Sequence, residues 1–475
     1  MRERFEFVAL VSILAALTFA LWIGLDTTIV GRISEARCVN VVRGMLESGD
    51  WLVPRLGDTL RLQKPPLFYW AGAVVAKLSG NTAAWPVRAV SASAALGLAL
   101  LIFAWGRSLG GAAEGLLALG SLAAMQQFTS SGRRGDAEML LALLSTAALF
   151  AFYRFESRRE RSLWPFALCA GLAFLTKATA IVFTIALPIL AYLALQGELG
   201  ALRRPRAWKV FAVVAAIGLS WYVAVLVFVP GAFEAFRDAL LLPLGDSDSH
   251  SGSAHFKAPW WYLSVLPVRA APASLLLPFV VWQLWRTRLY RGEPGRRFAA
   301  LAFVVPFLAF SFLPQKQKHY TLSMIPGLAL CSADALRAAA RELGSRFGWL
   351  VRGIGPLLAA AGLAVAIWIA LFYLWVESLE PLGVALRVGL PIALFAVAGL
   401  AALFDRRPGF GLSWLLGLLV LAGIGRGEVE LQLIMLSRTY MVLSIDDRER
   451  LAAVRRDHEW FAISVLKALE IQDDD

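Results

Sequence analysis

Charge is scarce in this 475-residue chain. Asp, Glu, Lys and Arg make up 17% of it, hydrophobic residues reach 59%, and mean hydropathy is +0.65. A soluble globular domain carries about 25% charged residues, so the composition excludes an ordinary soluble protein. Cysteine is nearly absent. Cys38, Cys169 and Cys331 stand apart with no CxxC spacing, which excludes a disulfide framework and a structural zinc site. Acid is outnumbered, 34 carboxylates against 46 Lys and Arg, for a net charge of +12.

What fills the chain is a succession of membrane-length apolar runs. A span needs about 20 apolar residues to cross about 30 Å of hydrocarbon. The runs place spans near 7–25, 85–105, 112–130, 138–153, 163–175, 178–196, 209–229, 262–285, 298–313, 320–335, 353–375, 383–404 and 409–425, about 13 in all. This is an all-α polytopic membrane protein, with a transmembrane domain over 1–425 and a short external tail over 426–475. Alternate loops carry the basic residues: Arg2 and Arg4, Arg107, Arg154 to Arg161, Arg203 to Lys209, Arg286 to Arg297, Arg337 to Arg346, and Arg406 with Arg407. That alternation sets the N-terminus in the cytoplasm. The net charge is then a topology signal, and nucleic-acid binding is excluded as its meaning. The first apolar run reads as a retained span, since its loss as a signal peptide would spoil the alternation.

With this orientation the unusual residues gather outside. The first external loop, over 26–84, carries ISEARCVNVVRGMLES, then GDWLVP, then QKPPLFYW. Residues 34–48 have helical spacing: Val39, Val42, Met45 and Leu46 share one face, Glu35 and Arg43 point more to the other, and Ser34 caps the start. KPPLFYWAGAVVAKLSG reads as a second helix, with Pro65 or Pro66 in its first turn. Both suit helices lying in the interface plane. Further along, Arg133 and Arg134 offer forked guanidinium contacts to phosphate oxygens. Asp136 follows as a substrate-facing carboxylate or a cap of the next span, and Glu138 competes for that role. Lys177 interrupts a nearly wholly apolar stretch and needs an anionic partner or a path to water. The loop over 230–259 holds His250 and His255. A compact basic patch follows at Lys316, Lys318, His319 and Tyr320. All four histidines fall on the external side.

These motifs, in this order, resemble the integral-membrane glycosyltransferases of the C superfamily (GT-C). The chain is most similar to the aminoarabinose–lipid A transferases and the dolichyl-phosphate-mannose protein mannosyltransferase group. The family pattern of D-E-x-R-Y, G-D-W-x-x-P and E-K-P-P is met here by Ser34-Glu35-Ala36-Arg37-Cys38, Gly49-Asp50-Trp51-Leu52-Val53-Pro54 and Gln63-Lys64-Pro65-Pro66. The resemblance implies a GT-C fold and a polyprenyl (undecaprenyl) phosphate-linked sugar donor. It also implies a lipid or glycan acceptor of the envelope, such as a lipid A phosphate, and a bacterial inner membrane with the active site facing the periplasm. Donor phosphate would fall to Lys64, Arg133, Arg134, Lys177, Lys318, His319 and Tyr320, acceptor or sugar to Gln63 and His255, and catalysis to Asp136, Glu35, Arg37 and Ser34. No metal site is assigned, divalent-metal dependence stays open, and no cofactor is implied. Two departures stand out: the family's first-loop aspartate falls on Ser34 and its EKPP glutamate on Gln63. A degenerate member that binds lipid-linked sugar without transfer, or a lipid-linked sugar translocator, are the alternatives. If the acceptor is a hydroxyl, Ser34→Asp is expected to raise turnover in a purified transfer assay, because a serine is no base at neutral pH. A phosphate acceptor arrives ionised and would show no gain.

Overall fold

The computed structural model describes residues 2–26, 33–57, 59–157, 159, 161–241, 257–313 and 315–346. Among these the chain is helical, apart from a hairpin of β1 (Arg55–Leu56) and β2 (Thr59–Leu60) with Arg55 opposite Leu60. The first half runs α1 (Arg2–Trp22), α2 (Ile33–Ser48), α3 (Leu67–Ser79), α4 (Trp85–Gly110), α5 (Ala112–Ala123), α6 (Gln126–Gly132) and α7 (Glu138–Glu156). The second runs α8 (Trp164–Phe174), α9 (Leu187–Gln196), α10 (Pro205–Phe228), α11 (Ala232–Leu241), α12 (Trp261–Arg269), α13 (Leu277–Arg286), α14 (Pro294–Phe312) and α15 (Ile325–Arg346).

Among the described residues, four helices are long and apolar enough to cross a membrane: α4, α7, α10 and α14. Several expected spans prove to be broken. The run over 112–130 divides into α5 and α6 at Met125, whose extended backbone forms a bridge with Pro272. The run over 262–285 divides at the same place, into α12, a 3-10 turn (Ala273–Leu276) and α13. The run over 163–175 gives only the 11 residues of α8, and 178–196 gives a π-helical turn (Val182–Ala186) leading into α9. The run over 320–335 starts with a 3-10 turn (Lys318–Ser323) before α15. Hydropathy cannot see these breaks, because irregular backbone at membrane depth is tolerated wherever protein covers it. The expected spans over 353–375, 383–404 and 409–425, and the tail, lie outside the described residues.

Small residues let the first helices approach closely. A Cβ at Gly115 on α5 would lie 2.6 Å from the Phe103 carbonyl oxygen of α4, and one at Gly106 would lie 3.0 Å from Gly115 Cα. Such backbone approach is how helices associate where burial of apolar area gives little drive. Around this seam Trp105 packs on Phe150, Tyr153 and Phe298, tying α4 to α7 and α14.

Two buried ionic knots fix the bundle at opposite ends. At one end Arg88 on α4, 2% exposed, grips Glu35 on α2 through Nε (2.7 Å) and a second guanidinium nitrogen (3.2 Å), and donates to the Leu25 carbonyl at 2.7 Å. The same Glu35 carboxylate accepts the Gly135 N–H at 2.9 Å. This corrects the sequence reading of α2: Glu35 lies on the buried face, in line with Cys38, Val39, Val42 and Met45 at helical spacing, and is 3% exposed. Ser34 sits inside the first turn of α2 rather than capping it.

At the other end Arg296 on α14 holds Glu114 on α5 with two bonds, at 2.7 and 2.9 Å, and also bonds Asp334 on α15. Arg337 bonds Glu114 and the Gly110 carbonyl, while Tyr290 and Gln283 each donate to Asp334 at 2.8 Å. Breaking a buried pair by removing one partner costs about 3–5 kcal/mol, because the other charge is stranded. Glu35→Ala is therefore expected to lower the thermal unfolding midpoint of the purified protein sharply. The double change Glu35→Leu with Arg88→Met should recover much of the loss.

Candidate active site

The GDW and KPP segments build one wall. The Asp50 carboxylate accepts the N–H groups of Leu52 (3.0 Å) and Val53 (3.1 Å), so it forms a turn rather than facing a ligand. The Trp70 indole donates to the Trp51 carbonyl at 2.6 Å, and Trp221 on α10 donates to the Leu52 carbonyl at 2.8 Å. The Leu67 N–H reaches the Leu175 carbonyl at the end of α8, 3.3 Å away. This contact docks the KPP segment on the GLAFLTK stretch and sets Lys64 close enough to act electrostatically on both Asp136 and Glu138.

Glu138 opens α7 at the centre of the site. Its carboxylate accepts from Lys177 Nζ at 2.7 Å and lies 3.6 Å from His319 Nε2. Lys177 also sits 5.3 Å over the Tyr320 ring, which stacks on Phe310 at 4.9 Å and meets His319 edge-on at 4.8 Å. These groups edge a cavity of about 280 Å³ lined by Glu138, Lys177, Tyr320, Phe183, Phe310 and Gln315, among others. Its lining is mixed, with charge on Glu138 and Lys177 and apolar side chains on Leu141, Ala180, Phe183, Phe310 and Leu313.

Asp136 lies beside it, 7% exposed. Its carboxylate accepts the Glu138 N–H at 3.3 Å and stands 3.9 Å from the Arg134 guanidinium. Its backbone carbonyl accepts the Ser91 hydroxyl of α4 at 3.1 Å. Burial pushes its pKa above the ordinary carboxylate value; Arg134 opposes the rise and Glu138 adds to it.

The expected site residues therefore divide. Asp136, Arg134, Lys177, His319, Tyr320 and Lys64 converge with Glu138. Arg37 is buried on α2, and Ser34 is half-buried there. Glu35 is committed to Arg88. Arg133 is turned to the end of α1, donating to the carbonyls of Ala20 (3.0 Å), Leu21 (3.4 Å) and Ile23 (2.6 Å). A helix C-terminus offers orphan acceptors and negative partial charge, and Arg133 supplies both with a partner. Gln63 and Lys318 are exposed, and His255 lies outside the described residues. Cys38, at the family's tyrosine position, is inert: burial pushes its thiol up to about 12. Sequence reasoning passed over Arg88 and the Glu114–Arg296–Asp334–Arg337 knot, and ranked Glu138 too low. A lone carboxylate in an apolar run must find a cation, and Glu114 and Asp334 carried that signal. Among the described residues no group of three His, Cys, Asp or Glu side chains is placed to hold a metal ion.

The helical architecture has counterparts among solved structures. The fold resembles that of the GT-C integral-membrane glycosyltransferases, and the chain superposes on the ArnT structure from Cupriavidus metallidurans. The TM-score is 0.63 for its complex with undecaprenyl phosphate and 0.62 for its apo state. The alignment covers 89% of this chain and 76% of that one, at 22% and 20% identity respectively. The family model for dolichyl-phosphate-mannose-protein mannosyltransferase matches residues 63–229. Curated relatives agree. An undecaprenyl phosphate-alpha-4-amino-4-deoxy-L-arabinose arabinosyl transferase from Pectobacterium atrosepticum is 30% identical over 358 residues, 71% of this chain and 62% of that protein. A second, from Proteus mirabilis, is 28% identical over 333 residues, 68% and 58%. The chain thus spans about three fifths of the length of the curated relatives it matches.

If Asp136 must be ionised for turnover, its raised pKa carries a definite sign. Activity falls as pH drops through a value above the ordinary carboxylate range. The ionised form is disfavoured in the folded state, so the contribution of Asp136 to stability is fullest at low pH and declines as pH rises. A kcat/KM profile against pH should show that acidic limb, and Asp136→Asn should remove the limb along with most activity.

Proposed function

We propose that the protein transfers a sugar from a polyprenyl-phosphate donor to an acceptor on the external, periplasmic side of a bacterial inner membrane. The observation that carries this reading is the convergence of Lys64, Arg134, Lys177, His319 and Tyr320 on Asp136 and Glu138, beside a cavity whose lining joins Glu138 and Lys177 to Leu141, Phe183, Phe310 and Leu313. A lipid phosphate has the same mixed character. The undecaprenyl phosphate in the ArnT complex and the donor in the relatives' names support the same reading.

The chemistry follows from the placement. The bond between sugar C1 and the phosphate oxygen breaks, and negative charge develops on the departing polyprenyl phosphate. Lys64 and the neighbouring cations stabilise that charge without rearrangement, which is the main contribution such a site makes. A bond forms between C1 and the acceptor oxygen. Where the acceptor is a hydroxyl, Asp136 accepts its proton; an acceptor phosphate needs no base. Glu138 holds Lys177 and His319 in register across the cavity. The loop over 26–84 lies at the membrane surface, the domain over 1–425 carries about 13 spans by the hydropathy spacing of about 20 residues, and the tail over 426–475 is external. Gln63 and His255 remain candidates for sugar or acceptor contacts, and Lys318 for the rim of the phosphate site.

Removing one preorganised donor to a developing oxyanion costs about 10²–10³ in kcat. Lys64→Ala is expected to lose activity by that order in a reconstituted assay with a synthetic lipid-linked sugar. Unchanged turnover would remove Lys64 from the phosphate site. Binding of polyprenyl phosphate by the unaltered protein with no product from any acceptor would point to a binder without transferase activity.

A further inference from the structure

We propose that Glu138 and Gln315 recognise the transferred sugar, accepting hydrogen bonds from hydroxyls of its ring. The inference rests on the transferase reading above and names the part of the cavity that reads the sugar.

Glu138 has two carboxylate oxygens, and the protein uses one of them. Oε1 accepts from Lys177 Nζ at 2.7 Å and is also the oxygen that lies 3.6 Å from His319 Nε2. Among the described residues, Oε2 has no hydrogen-bond partner. A carboxylate paired with an ammonium is an acceptor only, with lone pairs to spare on the second oxygen.

Gln315 supplies a second open acceptor. Its side-chain Oε1 is buried and has no hydrogen-bond partner among the described residues. A buried acceptor left unsatisfied is a standing cost, and folded proteins pair nearly all of theirs. Both residues line the cavity of about 280 Å³. They reach it from different elements, Glu138 from the first turn of α7 and Gln315 from the segment between α14 and α15.

An occupant that satisfies both must bring hydrogen-bond donors, and more than one. The phosphodiester of a lipid-linked sugar offers acceptors and a negative charge, so Glu138 repels it. The polyprenyl chain has no polar hydrogen. The sugar ring alone carries O–H donors, on neighbouring carbons. Its bond to Glu138 is charge-assisted and the stronger of the two; its bond to Gln315 is between neutral groups. Lys177 holds the Glu138 carboxylate before the sugar arrives, so the acceptor is already in place. Neither residue moves a proton in this role.

The test measures affinity in the full-length protein in nanodiscs, by competition against labelled undecaprenyl phosphate. The competitors are undecaprenyl phosphate itself and undecaprenyl phosphate linked to glucose, mannose, galactose or arabinose. Whichever sugar the unaltered protein binds tightest is carried forward to Glu138→Gln and Gln315→Leu. Glu138→Gln is expected to weaken the sugar-linked lipid by about tenfold or more relative to undecaprenyl phosphate. Gln315→Leu is expected to weaken it by about three- to tenfold, with no loss of thermal stability, because it removes an unpaired acceptor. A merely structural role would lower affinity for both lipids alike. An unchanged ratio of the two affinities in both variants overturns the inference while leaving the transferase reading in place. So does an unaltered protein that binds undecaprenyl phosphate and none of its sugar-linked forms. Failure of the unaltered protein to bind any of these lipids would instead remove the transferase reading, and the inference with it.

Discussion

The site depends on the position of one buried ion pair. Arg88 holds Glu35, and Glu35 in turn holds the Gly135 N–H. The first external loop, the start of α4 and the turn before α7 therefore meet at one carboxylate. Asp136 is the next residue along that turn, and the Ser91 hydroxyl, one turn of α4 on from Arg88, bonds its backbone. A pair so deeply desolvated gains little net stability over an apolar substitute. What it gives is a fixed position: Asp136 cannot shift without disturbing a bidentate guanidinium contact.

How far the sequence could be read depended on the kind of signal. Helices α2 and α3 were legible from periodicity and the KPP start, and the convergence of Lys177, His319 and Tyr320 on one side followed from loop alternation. Pairing was not legible. Glu35 looked like a polar-face residue because its partner, Arg88, stands 53 residues away inside an apolar stretch. Arg133 and Arg134 looked equivalent as neighbours in one motif, yet one caps α1 and the other faces Asp136. Glu138 ranked below Asp136 because nothing in a linear reading brings Lys177 across from α8. The breaks at Met125 and Pro272 were hidden for a related reason. Each supports the other through a backbone bridge, and hydropathy averages across both.

The placement of cations also separates two tasks. Those around the cavity face a space where an anion can enter. Those at the far knot, Arg296 and Arg337, are consumed by Glu114 and Asp334, and Tyr290 and Gln283 donate to the same Asp334 carboxylate, so that end of the bundle is polar yet closed. Helices α14 and α15 run between the two ends. The lipid-phosphate reading proposed above calls for this asymmetry, because an unpaired ion at depth draws water in.

That closed knot has a consequence for how the chain is made. Glu114 emerges from the ribosome 182 residues before Arg296. At synthesis rates of about 5–20 residues per second, the wait is roughly 10–35 s. Throughout that interval α5 carries a carboxylate whose partner does not yet exist. The early helices must therefore keep the start of α5 at the water boundary, and settle to final depth only when α14 arrives. Bundle assembly is in this sense gated by the late helices, and the short, Gly-lined α5 cannot complete its contacts before α14 and α15 are made.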